Sequence, residues 1–283
     1  MSGTLYLCAT PIGNLGDMSR RALEVLETVD LIAAEDTRRT VQLLNHFGIS
    51  KPLTSYHEHN KREKGEYIRS LLTAGKNVCL VSDAGTPAIS DPGEDLVSLC
   101  IAHDLPVTSI PGPVAAVNAL ILSGLPTRRF SFEGFLSVNK RHRKAHLESV
   151  KNDAHTLIFY EAPHKLKYTL LDMCGVFGGE RRIALARELT KLHEEVLRMT
   201  IAEAVEYYAD TAPRGEYVII VEGAREKAET EHWWDSLSIA EHVDSYVEKG
   251  MTGKDAVKEA AKDRGLPKRE VYQAYHIEEE ART

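Results

Sequence analysis

Three sequence signatures are missing from the 283 residues: there is no GxGxxG after a strand, no GxxxxGK[ST] and no GxSxG. The first absence argues against a nicotinamide dinucleotide, the second against a nucleoside triphosphate, the third against a hydrolase serine. Cysteine is scarce as well. Cys8, Cys79, Cys100 and Cys174 are far apart and form no CxxC pair, so no metal site is expected. Cys8 and Cys79 lie inside apolar runs and read as reduced, buried thiols, which points to a cytoplasmic protein. No apolar run approaches the roughly 20 residues that span a bilayer. The N-terminus, MSGTLYLCATPIGN, has no basic region followed by a long apolar stretch, so no signal peptide and no membrane association are expected. A basic surplus is also lacking. The net charge of −7 counts against a polyanionic partner unless local clusters set the field.

What is present is an ordinary globular mix, 43% hydrophobic and 27% charged. The length suits two compact domains and a small third. Short apolar runs (TLYLCAT, LIAAED, NVCLVSD, LPVTSIPG) alternate with helical stretches (SRRALEVLETVD, TVQLLNHFG, EYIRSLLTAG, EDLVSLCIAHD). Such alternation predicts a mostly parallel sheet with crossover helices, and nearly continuous apolar strands predict a sheet covered on both faces. PVAAVNALILSG reads as a long buried helix linking two halves. HTLIFYE, RIALARE and EYVIIVEG are the clearest strands of a second α/β unit, with KLKYTLLDMCGVFG and TIAEAVEYYAD its helices. After Gly223, AREKAETEH reads as a charged linker. The expected domains are 1–115, 116–224 and a helical tail, 233–283.

Three turn-rich loops follow strands: TPIGN (10–14), SDAGTPAISDPG (82–93) and IPGPVAA (110–116). Open α/β sheets bind ligands at such strand ends. The loops could equally be tight structural turns. Taken in order, TPIGNLGD, AAEDTR, SYHEHN, VSDAGTPAISDPG, SIPGPVAA, FEGF, YEAPH and ARELTK resemble the ribosomal RNA small-subunit methyltransferases of the tetrapyrrole methylase superfamily, over about residues 4–223. Two features depart from the wider superfamily. Its glycine-rich first loop is TPIGN here, and its GDP-type turn is Asp83-Ala84-Gly85; both match the RNA-modifying branch and weaken a corrinoid or porphyrin substrate.

The resemblance implies two α/β domains with S-adenosylmethionine in the cleft between them. It implies a methyl transfer to a ribose 2′-hydroxyl, of a cytidine, in 16S ribosomal RNA within the small ribosomal subunit, by a homodimer. Carried over by motif, the donor site comprises Pro11 and Ile12, then Asp83, Ala84, Gly85, Thr86 and Pro87, then Val114 and Ala115, and Phe159 and Tyr160 from the second domain. Candidates for activating the hydroxyl are Glu35, Asp36, Glu161, His164, Arg187 and Glu188, all near strand ends. Each could instead be a cap or an ion pair, and the sequence does not choose among them.

For the RNA, the basic block Lys140, Arg141, Arg143 and Lys144 reads as a flexible grip beside the cleft. In the tail, Lys254, Lys258 and Lys262 share one helix face, opposite Ala256, Val257, Ala260 and Ala261. Gly265, Leu266 and Pro267 break that helix before a second, giving a helix-turn-helix-like unit that either contacts RNA or only docks. A tetrapyrrole methyltransferase and a non-catalytic RNA-binding protein are the rivals. The helical tail and the basic block speak against the first, the three intact loops against the second.

Overall fold

The computed structural model describes residues 1–224 and 233–281. The apolar runs LYLC, LIAA and VCLV become strands β1 (Leu5–Cys8), β2 (Leu31–Ala34) and β4 (Val78–Val81). With β3 (Leu53–Ser55) and β5 (Val107–Ile110) they form an all-parallel sheet in the order β3-β2-β4-β1-β5. Alternate residues feed two cores. Leu5, Ala33, Val78 and Leu80 pack on helices α3 (Lys61–Thr73) and α4 (Glu94–Ala102). Cys8, Ile32, Cys79 and Val81 pack on α1 (Arg20–Thr28) and α2 (Thr37–His46). Burial on both faces is what makes these strands apolar at every position.

The second sheet runs β6 (Phe130–Phe135), β7 (Thr156–Glu161), β10 (Tyr217–Val221), β8 (Arg182–Arg187), β9 (Glu195–Thr200). Only β6 and β7 are parallel; the other pairs are antiparallel. The loop 188–194 between β8 and β9 has no room for a crossover helix, so this pair must be a hairpin. Helices α6 (Lys140–Val150), α7 (Pro163–Phe177) and α8 (Ile201–Asp210) cover the outer face around Leu147, Leu170 and Ala204.

On the inner face lies α5 (Ala115–Ser123). Its Ala116, Ala119 and Leu120 pack on Ile158, Ala184 and Ile220. Its other side is exposed, Ile121 at 63%, so this helix is half-buried, where a long buried link was expected. The fold is thus two α/β domains, which pack into one compact unit, Met1–Ala224, followed by a helical C-terminal unit.

Among the described residues, that second unit has three helices, α9 (Ile239–Glu248), α10 (Gly253–Asp263) and α11 (Lys268–Ala281). They share a core of Val243, Val257, Ala260 and Val271. The turn Gly265–Pro267 joins α10 to α11 as the sequence suggested. The linker expected at AREKAETEH lies, from residue 225 on, outside the described residues. No helix among the described residues is long and apolar enough to cross a membrane.

Candidate active site

The loops that leave β1, β4 and β5 are stitched together. Thr10 and Gly85 exchange backbone hydrogen bonds of 2.8 and 3.0 Å. The Thr10 hydroxyl donates to the Ser82 carbonyl at 3.1 Å, and the Thr86 hydroxyl to the Pro113 carbonyl at 3.1 Å. Gly85 sits at φ +84°, and a Cβ there would lie 3.2 Å from Ile12 Cγ2, so the junction favours glycine. All three loops, with Glu35 after β2, stand at carboxyl ends of parallel strands, where this architecture places ligands.

Between these loops and the inner face of the second sheet lies a cavity of about 290 Å³. Of the residues assigned to the donor from sequence, Ile12, Asp83, Ala84, Ala115 and Tyr160 line it. Gly85 and Thr86 brace the loops behind it. Pro87 is buried, and Pro11 lines a neighbouring cavity of about 410 Å³ that shares Asp83 and Arg39 with the first. Val114 is the N-cap of α5 and packs against the core beneath. Phe159 is fully buried on the opposite face of β7, among Leu147, Leu166 and Leu170. Strand side chains alternate, so a strand that turns Tyr160 toward the cavity must turn Phe159 away. The Tyr160 hydroxyl accepts the Ala116 N–H at 3.2 Å, tying the second sheet to the first turn of α5. Burial pushes this phenol above its ordinary pKa.

The cavity is acidic. Six carboxylates line it (Glu35, Asp83, Asp91, Glu161, Glu188 and Glu216) against two cations, Arg39 and Lys191. Three of the six are engaged. Asp83 accepts the Asp36 N–H at 3.0 Å and pairs with Arg39 at 3.1 Å. Glu161, 1% exposed, accepts the Ala162 N–H at 2.9 Å and the Thr169 hydroxyl at 2.5 Å, with Lys165 at 3.3 Å. Glu188 pairs with Lys191 at 3.0 Å.

The other sequence candidates for activating a hydroxyl stand apart. Asp36 caps α2 and is held by the Arg38 N–H and guanidinium at 2.9, 3.0 and 2.7 Å. Arg38 depresses its pKa to about 2, which makes it a poor proton acceptor. His164 is exposed on α7 and does not line the cavity. Arg187 pairs with Glu195 at 2.6 Å beside a different pocket.

Two lining carboxylates escaped the sequence reading, Asp91 and Glu216. Asp91 lies in the same loop as Asp83, so its position was legible. Its environment was not: burial, then Glu35, Asp83 and Glu216, raise its pKa to about 6. Burial, then Asp83, raises Glu35 as well.

The basic block is not a flexible loop but the first turns of α6, capped by Asn139, whose side chain accepts the Arg141 and His142 N–H groups. Arg143 is removed from any RNA surface. It is 7% exposed and clamped on Asp172 by Nε and Nη2 at 2.8 and 2.7 Å. Lys140 and Arg141 are exposed, and Lys144, half-exposed, lies 3.8 Å from Asp172. On α10, Lys254, Lys258 and Lys262 are exposed, opposite buried Ala256, Val257, Ala260 and Ala261.

Comparison with known proteins agrees with this geometry. Residues 4–205 match the model of the Tetrapyrrole (Corrin/Porphyrin) Methylases. The fold is shared with the uroporphyrin-III-C-methyltransferase of Thermus thermophilus, at a TM-score of 0.55 and 20% identity, over 78% of this chain and 94% of that one. The chain belongs to the tetrapyrrole methylase family. Within it, the chain is 52% identical to the ribosomal RNA small subunit methyltransferase I of Halalkalibacterium halodurans, over 98% of this chain and 96% of the relative. It is 50% identical to the protein of that name from Bacillus subtilis, over 98% and 95%.

Proposed function

We propose that this chain is an S-adenosylmethionine-dependent ribosomal RNA methyltransferase that methylates a ribose 2′-hydroxyl, of a cytidine in 16S ribosomal RNA. It acts in the cytoplasm, as a homodimer, on RNA within the small ribosomal subunit. The names of its relatives support the RNA substrate. The observation that carries the donor is the charge of the cavity, six carboxylates against two cations. S-adenosylmethionine supplies a methyl group on a sulfonium and carries an ammonium as well, so an acidic pocket suits it. Ile12, Ala115 and Val218 offer the apolar walls an adenine needs. Asp83, fixed by Arg39 and the Asp36 N–H, is placed to accept hydrogen bonds from a ribose or an amine. Holding donor and acceptor in line accounts for a large share of the rate, on the order of 7 kcal/mol in favourable models.

The same acidity repels phosphate. The RNA backbone is therefore held outside the cavity, by Lys140, Arg141 and Lys144; the lysine face of α10 is a separate basic surface of the helical unit. Calorimetry with S-adenosylmethionine tests the donor. Nucleoside mass spectrometry on 16S ribosomal RNA from cells lacking the protein tests the product: a 2′-O-methylcytidine is expected to disappear, and loss of a base methyl instead would overturn the ribose assignment.

A further inference from the structure

Methylating a ribose hydroxyl requires somewhere for its proton to go. Three of the six cavity carboxylates already hold partners. Asp83 has Arg39 and a backbone N–H, Glu161 has Thr169 and Lys165, and Glu188 has Lys191. Glu35, Asp91 and Glu216 have no hydrogen bond or ion pair among the described residues. Of these, Asp91 stands in a loop of strained, closely packed backbone. Its loop carries Ala88 and Ser90 at φ +67° and +66°, two left-handed residues that are not glycine. Such conformations persist only where the surroundings over-determine them. Behind Asp91, Gly93 sits at φ +153°, and a Cβ there would come within 2.9 Å of both Ala88 Cβ and Leu80 Cδ2. The loop is wedged against β4, and Asp91 lines the cavity between the two sheets.

We propose that Asp91 is the proton acceptor for the ribose hydroxyl, an inference that rests on the ribose methylation proposed above. As the hydroxyl oxygen forms its bond to the methyl carbon, the carbon–sulfur bond breaks and its electron pair stays on sulfur. The hydroxyl proton passes to an Asp91 carboxylate oxygen and from there to water. One positive and one negative charge are annihilated within the cavity, and the products are a thioether, an ether and a neutral acid.

The charged groups facing Asp91 suit this role. Burial raises its proton affinity most, and Glu35 from the end of β2, Asp83 from its own loop and Glu216 ahead of β10 raise it further. Tyr160 on β7 also feels its charge. The two cations that line the cavity, Arg39 and Lys191, are paired to Asp83 and Glu188. A base of pKa about 6 is ionised at neutral pH, yet it binds a proton far better than an ordinary aspartate.

The test compares the wild type with D91N and D91E. Three quantities are read: donor affinity by calorimetry, single-turnover methyl transfer to 16S ribosomal RNA from pH 5 to 9, and the carbon-13 carboxyl titration of the full chain without donor. D91N should bind the donor within about tenfold of the wild type while its transfer rate falls roughly 10²- to 10⁴-fold, the usual worth of a positioned base. The acid limb of the wild-type rate profile, and a carboxyl titrating near the same pH, should both vanish in D91N, and D91E should recover part of the rate. D91N transferring at the wild-type rate with its acid limb intact, while the product is still a ribose ether, overturns the proposal alone. So does a D91N defect that disappears at saturating donor, because Asp91 then only holds the cation. A wild type that methylates the base instead overturns the ribose reading, and this inference with it.

Discussion

Arg143 and Asp172 form an ion pair with each side chain 9% exposed, joining α6 to α7 through two hydrogen bonds of 2.8 and 2.7 Å. Arg143 Nη1 also donates to the carbonyls of Ser137 and Val138, both at 3.2 Å, which fixes the chain entering α6. Removing one partner strands a buried charge. Asp172→Ala should therefore cost about 3–5 kcal/mol in denaturant unfolding, whereas Arg143→Met with Asp172→Leu should be close to neutral. Equal losses in the single and double variants would show that the pair itself contributes net stability.

Asp83 is expected to matter for the donor. Its carboxylate links the start of α2 to the loop after β4, through the Asp36 N–H and Arg39. Asp83→Ala removes the acceptor offered to a ribose or amine of the donor, which should weaken donor binding by roughly 1–3 kcal/mol, or about 5- to 150-fold in affinity. Calorimetry with S-adenosylmethionine reads this directly. A folded variant with wild-type affinity would refute the assignment.

The first sheet was readable because its strands are buried on both faces, so LYLC, LIAA and VCLV are apolar at every position. The strands that were missed are β3, β6 and β9, at sheet edges, where exposure admits Thr, Ser, Glu and Arg and blurs the pattern. The site divides in the same way. Loops at strand ends are local in sequence, so Ile12, Asp83 and Ala115 could be picked out. Roles that depend on distant partners could not. Arg143 looks like part of a basic block until Asp172, a full helix away, neutralises it. Asp91 looks like a turn former until Glu35 and Glu216 converge on it.

The RNA surface predicted here is smaller than the basic block suggested. Replacing Lys140, Arg141 and Lys144 with glutamine should weaken binding of a 16S fragment and flatten its salt dependence. Each lost phosphate contact should lower the slope by about 0.7 on single strands and 0.9 on duplex. Donor affinity should not change, because none of the three lines the cavity. The same measurement on Lys254, Lys258 and Lys262 tests the tail separately. An unchanged slope there would mean that α10 docks on protein instead of RNA.

The helical unit should be acid-sensitive because of one histidine. His242 is 0% exposed, stacked on Trp234 with ring centroids 5.1 Å apart, and its Nδ1 accepts the Arg264 Nε–H at 3.0 Å. Protonating the ring would turn that acceptor into a donor facing a guanidinium. Burial first, then Arg264, hold its pKa below the ordinary 6.5, with Lys249 adding to the effect and Asp263, 3.4 Å from Nε2, opposing it. Between the lowered folded value and 6.5, the unfolded chain binds more protons than the folded one, so stability rises with pH. The contribution is complete above about 6.5 and is lost as pH falls through the folded value. Both of the chain's 2 tryptophans, Trp233 and Trp234, stand in this unit, so fluorescence during urea unfolding reports on it specifically. Wild-type midpoints should fall as pH drops from 7 to 5. In H242Q, whose amide oxygen can still accept from Arg264 but which does not titrate, the midpoint should stay level over that range. An acid limb that survives unchanged in H242Q would assign the sensitivity to other groups.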